Sequence, residues 1–210
     1  MTAVYLLRHG ETEWSRTGRH TSRTDLSLTP TGERLAGEAG RLLGAFRGAG
    51  RPALVASSPR TRALRTAELA GLSVGLVTED LAEWDYGEYE GMSTPQIRET
   101  VPGWTVWTHE SPGGETAAQV GARARKVLER VRAALTDGDV ILVGHGHFSR
   151  VLVATWLSLD ATAGVHFGLD AAAITVLGDE RGEPQIKRLN VPPAPERREQ
   201  HAGPAGTPGS

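Results

Sequence analysis

A three-layer α/β/α sandwich with a mostly parallel central sheet is the fold class this sequence predicts, and three observations predict it. Short apolar runs alternate with stretches of helical periodicity along most of the chain. Threonine–proline and serine–proline pairs, Thr29-Pro30 and Ser58-Pro59, stand where helices should begin. Two apolar runs from distant segments each end in a histidine, His9 and His145, and ligand sites in open α/β sheets lie at the carboxyl ends of strands.

Taken in order, residues 3–8 read as the first strand. Thr29 as N-cap and Pro30 in the first turn start a helix whose Leu35, Ala39, Leu42, Leu43 and Phe46 share one face. Residues 53–57 form a second strand, Ser58-Pro59 opens a helix running to about residue 70, and residues 74–78 form a short third strand. The segment 79–115 is rich in Gly, Pro, Trp and acidic side chains, and only residues 94–100 look helical. A long irregular stretch inside a compact domain is more often functional than accidental. From Thr116 an amphipathic helix reaches about residue 135, with Val120, Val127, Leu128, Val131 and Leu135 inward. Residues 139–144 are the fourth strand, 148–158 a helix, and 172–177 and 185–189 later strands, the last at an edge. No internal repeat is present.

The 210 residues suit one domain, expected over 1–190, followed by a Pro/Gly-rich tail over 191–210 that cannot bury much apolar surface and is expected to be disordered. A net charge of −2 gives no reason to expect nucleic acid or an anionic membrane as partner. Lysine occurs only as Lys126 and Lys187, so arginine carries nearly all positive charge; base composition explains that bias as well as function does. The absence of cysteine excludes disulfides, thiolate nucleophiles and cysteine metal sites. No secretory signal is legible and no apolar run is long enough to span a bilayer, so a soluble, cytoplasmic protein is the default expectation.

Four segments carry candidate chemistry. Arg8-His9-Gly10 puts an imidazole nucleophile beside an anion-binding guanidinium and a glycine that lets a ligand approach the backbone; the bland alternative is a surface loop after a strand. Ser57-Ser58-Pro59-Arg60-Thr61-Arg62 brings arginines to a helix N-terminus, where free N–H groups favour an anion. Glu83-Trp84-Asp85-Tyr86-Gly87 sets a carboxyl group among aromatics, which suits a general acid, although a merely solvated acidic loop would look similar. Gly144-His145-Gly146-His147 ends the fourth strand, and its His-x-His spacing admits a metal pair, ranked low because a metal site needs further ligands. His20, His109, His166 and His201 carry no motif and receive no catalytic role, although His20 neighbours the pocket-forming loop. Trp84, Trp104 and Trp107 are expected to wall the entrance to the site.

The run Leu6-Leu7-Arg8-His9-Gly10-Glu11-Thr12-Glu13-Trp14-Ser15, continued by Gly18-Arg19, Asp25 and Leu28-Thr29-Pro30, resembles the signature of the histidine phosphatase superfamily, also called phosphoglycerate-mutase-like. The other three segments resemble further elements of the same family. The resemblance covers residues 3–178 and implies a phosphoglycerate-mutase-like fold and a phosphohistidine enzyme. It makes His9 the nucleophile, Arg8 and Arg62 phosphate clamps, His145 a charge stabiliser and Glu83 the proton donor. It places Ser15, Thr21, Ser22 and Gly146 at phosphate or substrate, with Ser15 standing for a common asparagine and Ser22 for a common glycine. Glu115, in Pro112-Gly113-Gly114-Glu115-Thr116, is expected to orient an arginine. No metal and no cofactor are implied.

The segment 83–87 lacks the glutamate-arginine-histidine-tyrosine-glycine pattern of cofactor-dependent phosphoglycerate mutases. A metal-independent, acid-phosphatase-like phosphomonoester hydrolase is therefore favoured, close to the branch that holds bacterial acid phosphatases and a sedoheptulose bisphosphatase. The expected substrates are small phosphorylated metabolites such as sugar phosphates. Phosphoglycerate mutase is the alternative enzyme; a non-catalytic phosphate-binding scaffold is disfavoured because His9 and Glu83 are both present. A homodimer is compatible with these properties, and substrate choice is expected to reside in the Trp-rich segment between Glu83 and Glu115.

Overall fold

The computed structural model describes residues 2–48 and 50–193. Strand β1 (Val4–Arg8) is followed by a short helix α1 (Glu13–Arg16) and a long helix α2 (Pro30–Arg47). Then come β2 (Leu54–Ser57), α3 (Thr61–Leu69) and β3 (Leu76–Val77). Helices α4 (Thr94–Thr100) and α5 (Ala117–Ala134) lead to β4 (Val140–Gly144), α6 (Gly146–Trp156), β5 (Ile174–Glu180) and β6 (Glu183–Val191). The strands form one six-stranded sheet in the order β3-β2-β4-β1-β5-β6. Pairings β2–β3, β2–β4 and β1–β4 are parallel, whereas β1–β5 and β5–β6 are antiparallel.

The central strands are apolar on both faces, as a sheet covered by helices on both sides requires. Val4, Leu6, Val140 and Leu142 face a core built with α5, α6 and the aromatic residues of segment 79–115. Tyr5, Leu7, Ile141 and Val143 face the core on the side of α2 and α3. Helix α2 starts as the sequence predicts, with the Thr29 hydroxyl accepting from Gly32 N. Helix α5 opens with a reciprocal capping box between Thr116 and Gln119.

Three boundaries differ from expectation in ways that bear on the site or the domain. Helix α3 begins at Thr61, not at Ser58-Pro59, because the Ser58 hydroxyl sits 2.7 Å from His145 Nε2 instead of capping the helix. Helix α6 begins at Gly146, two residues before the expected 148, so His145 occupies its N-cap position. Strand β6 reaches Val191, one residue past the expected domain boundary, and residues 194–210 of the expected tail lie outside the described residues. The glycine after His9 also has a different purpose. A Cβ at Gly10 would lie 2.5 Å from Gly32 O, and one at Gly32 would lie 2.1 Å from Glu11 O, so this glycine pair lets α2 start against the end of β1.

Register positions the site. Arg8 pairs with Gly144 and Ser57 with Val143. His9 and His145 therefore emerge side by side, with Ser58 beside Gly144 one residue before them. Their backbones remain tied, with His9 N donating to Gly144 O and Ser58 N to Val143 O.

Candidate active site

His9 is buried, and its Nδ1 lies 2.7 Å from Gly10 O. A carbonyl only accepts, so Nδ1 carries the proton and the lone pair is on Nε2. Burial first, then the positive charges of Arg8 and Arg62, hold His9 well below the usual histidine pKa, against the opposing pull of the Gly10 bond. The ring is thus neutral and presents Nε2, the form in which an imidazole is a nucleophile.

Cationic donors surround that ring. Arg8 donates through Nη1 to Leu169 O, and its guanidinium lies against Gly146, where a Cβ would come 3.4 Å from Arg8 Cζ. Arg62 donates to Thr24 O at 2.9 Å, Ser22 O at 3.1 Å and Thr21 O at 3.2 Å, fixing the loop after α1 to α3. His145 stacks edge-on to His9 with ring centroids 5.2 Å apart. Burial, followed by the charges of Arg62 and the neighbouring His9, holds His145 well below the usual value. Arg8 Nε, Arg62 Nε and His145 Nδ1 are buried without a partner among the described residues. Burial also lowers both guanidinium pKa values, with the Glu83 carboxylate the largest opposing charge on each. An anion among these groups would relieve both conditions.

Glu83 is held by the backbone. Its Oε1 accepts from Trp84 N at 2.9 Å and Phe148 N at 2.7 Å, and its Oε2 accepts from His147 N at 3.0 Å. Two of those donors belong to the first turn of α6, a natural carboxylate position. The carboxylate is therefore met by N–H groups, and not by aromatic faces alone as the sequence suggested. The expected partnership of Glu115 is present: it receives Arg123 Nε at 3.0 Å and Nη2 at 2.6 Å. Arg123 also donates to Ala82 O and Glu83 O, and its guanidinium lies 4.2 Å from the Phe148 ring centroid. It thus braces both the backbone of Glu83 and the residue whose N–H holds Oε1.

These groups meet at a cavity of about 290 Å³. Arg8, His9, Glu83, Ser15, Thr21 and Gly146 line it, whereas Arg62 and His145 are fully buried outside its lining. Ser22 departs from expectation: its hydroxyl is 2.6 Å from Glu90 Oε2, and it does not reach this cavity. The Ser15 hydroxyl donates to Thr12 O and accepts from Thr12 N, closing the first turn of α1. Trp84, Trp104 and Trp107 do not wall the entrance; all three are buried in the core. Their expected place is taken by Tyr86, His20 and His147, with the Tyr86 hydroxyl 2.6 Å from His147 Nδ1. Burial lowers the His20 pKa to about 4.

Arg150 and Leu169 also line the cavity and were not singled out in the sequence. Arg150 was findable, since it lies one helical turn after Gly146 on α6; Leu169, from a loop before β5, carried no signal. Among the described residues no group of three or more His, Asp or Glu is arranged to hold a metal ion, and no helix is long and apolar enough to cross a membrane.

The α/β/α fold and the paired strand-end histidines are those of a histidine-type phosphatase. The chain belongs to the histidine phosphatase superfamily, branch 1, whose family model matches residues 4–192. It is 48% identical over 188 residues to an acid phosphatase of Mycobacterium tuberculosis, covering 90% of this chain and 92% of that one. It is 34% identical over 182 residues to the sedoheptulose 1,7-bisphosphatase of Saccharomyces cerevisiae, covering 73% and 67%. A solved structure of the open reading frame Rv3214 product from M. tuberculosis superposes with a TM-score of 0.89 at 47% identity, covering 92% of this chain and 99% of that one.

Proposed function

We propose that this protein is a metal-independent phosphomonoester hydrolase that works through a phosphohistidine on His9. The observation that carries the reading is the His9 Nδ1 contact to Gly10 O, which leaves Nε2 free to attack. Nε2 bonds to phosphorus as the bond from phosphorus to the ester oxygen breaks, and Arg8, Arg62 and His145 neutralise the equatorial oxygens. For His145 to donate from Nδ1, the Ser58 hydroxyl donates to Nε2, which the 2.7 Å contact permits.

The departing oxygen takes a proton from Glu83. Oε1 already accepts two N–H groups and Oε2 only one, which makes Oε2 the proton carrier. In the second step water attacks phosphorus, the P–N bond breaks, inorganic phosphate leaves and Glu83 recovers the proton. The cavity volume suits a small molecule better than a protein segment. Relatives that include an acid phosphatase and a sugar bisphosphatase support sugar phosphates as the substrate class.

The test is phosphate release from p-nitrophenyl phosphate and a panel of sugar phosphates in EDTA, with an acid-labile phosphohistidine sought after rapid quench. Turnover that survives EDTA and a phosphate adduct on His9 are expected. EDTA-sensitive turnover, or a steady state with His9 never phosphorylated, would overturn the proposal.

A further inference from the structure

Gly10 stands directly after the nucleophile, and its carbonyl sets the nucleophile's tautomer. It has to be glycine, because a Cβ there would lie 2.5 Å from Gly32 O. Glycine brings more backbone freedom than any other residue. That freedom falls at the position whose carbonyl keeps the His9 proton on Nδ1. Gly10 O accepts no other hydrogen bond among the described residues, so only the placement of its own backbone aims it at the ring.

Thr66 fixes that placement. It lies on α3 one turn after Arg62 and is fully buried. Its Oγ1 donates to Arg62 O at 2.7 Å, which uses its one proton, so it meets Gly10 N as an acceptor at 2.9 Å. The bond to Arg62 O also selects the rotamer of this branched side chain. The peptide between His9 and Gly10 is thereby held on both edges, since His9 O accepts from Ala172 N at 3.1 Å. Thr66 does not line the cavity, so it meets no substrate.

Without Oγ1 the Gly10 N–H is buried with no partner, a state that a flexible peptide escapes by rotating. Rotation about Gly10 turns its carbonyl away from Nδ1. His9 can then carry its proton on Nε2, where the lone pair is needed for attack on phosphorus.

We propose that Thr66 is a positioning residue for the nucleophile: its hydroxyl fixes the Gly10 backbone, and through Gly10 O it keeps the lone pair of His9 on Nε2. The proposal deepens the reading of His9 as the nucleophile and rests on it. A tie that only joins α3 to the end of β1 is the competing use of the same bond.

Thr66→Val removes the hydroxyl at nearly constant shape, and Thr66→Ser keeps it. Long-range proton–nitrogen NMR spectra of protein labelled at its histidine rings read the tautomer without substrate, with the His9 signals assigned by their loss in His9→Ala. The unsubstituted protein and Thr66→Ser are expected to carry the proton on Nδ1, and Thr66→Val to show a mixture of both tautomers. In rapid quench with p-nitrophenyl phosphate, phosphoenzyme formation is expected to slow about tenfold in Thr66→Val and to stay within about threefold in Thr66→Ser. The inhibition constant of inorganic phosphate is expected to stay within about twofold in both, because Arg8 and Arg62 remain. Both variants are expected to melt lower, so rates are compared well below the melting temperature.

A pure Nδ1 tautomer in Thr66→Val, or a loss of rate in Thr66→Ser equal to that in Thr66→Val, would reduce Thr66 to a structural tie and overturn the proposal. A rise in the phosphate inhibition constant as large as the loss of rate would place the effect on the clamp and overturn it too. Thr66→Ala and Thr66→Ser differ by the hydroxyl alone, and their comparison decides the question if Thr66→Val does not fold. Absence of a His9 phosphoenzyme in the unsubstituted protein would count against the hydrolase reading separately, since the tautomer is read without turnover.

Discussion

His9 and Arg150 border one cavity and are held there by different physics. His9 comes off β1 in register with His145 off β4, and Ser58 leaves β2 one residue short of that level, opposite Gly144. Three parallel strands thus fix the phosphoryl half of the site through the backbone ladder. The other half is assembled from the loop after α1, the irregular segment 79–115, one face of α6 and the loop before β5. There, side-chain contacts such as Tyr86 to His147 and Arg150 to Trp107 set the geometry. The halves are nonetheless joined, since Leu169 O holds Arg8, Arg62 holds the carbonyls of Thr21, Ser22 and Thr24, and α6 N–H groups hold Glu83, so only changes in the second half that spare these contacts can redirect substrate choice alone.

Substitutions can break this contrast, and the largest effects belong on the strand-end side. His9→Ala removes the nucleophile and is expected to lower phosphate release by ~10⁴-fold or more, with no phosphoenzyme on rapid quench. Arg62→Ala is expected to reduce kcat/KM by ~10²–10³-fold. It also lowers the melting temperature, because Arg62 holds the carbonyls of Thr21, Ser22 and Thr24; unchanged melting would show that the loop does not depend on it.

Glu83→Gln should discriminate between leaving groups. A loss of ~10²–10⁴-fold is expected for sugar phosphates and a much smaller one for p-nitrophenyl phosphate, whose departing oxygen needs no proton. Equal losses would remove Glu83 as the acid. Arg123→Met is expected to show the same leaving-group pattern at about tenfold, since Arg123 braces Glu83 from behind without touching the cavity. A uniform loss for both substrates would make its role purely structural.

The smallest effect concerns pH. His9, His20, His145 and His147 all have pKa values lowered mainly by burial. Neutral His9 persists into acid, so the nucleophile should remain active below pH 6.5, the ordinary histidine value. The unfolded chain binds protons on these histidines first, so the stability they confer is full above about pH 6.5 and falls as pH drops towards their folded values. For His20 that window runs from the ordinary 6.5 down to about 4. Melting temperature against pH checks the sign; a rise in stability on acidification across this window would contradict it.

The same division governs what the sequence made legible. Arg8, His9 and His145 were readable because apolar runs mark strands, and a residue just past a strand end has few places to go. Arg62 and Glu83 were readable only through resemblance to a family, since neither spacing nor periodicity aims their side chains. The Trp residues misled because composition cannot distinguish a wall from a core: Trp84 and Trp104 are almost wholly buried. Ser22 misled because its nearest acceptor, Glu90, lies 68 positions away. Arg150 went unnoticed because its partners are carbonyls of a loop with no periodic signal.

The place of β4 has a consequence for how the enzyme comes into being. It lies between β1 and β2 although it is made after both, and its arrival closes a loop that links Ala3 to Asp139 across 136 positions. Closing so long a loop is entropically unfavourable until the flanking ladders form, so sheet completion should limit the folding rate. Until about two-thirds of the chain has been synthesised, no second histidine stands beside the first, and Glu83 lacks the His147 and Phe148 N–H groups that hold it. A nascent chain on the ribosome therefore has no assembled site, and catalysis switches on only when the middle strand slots in.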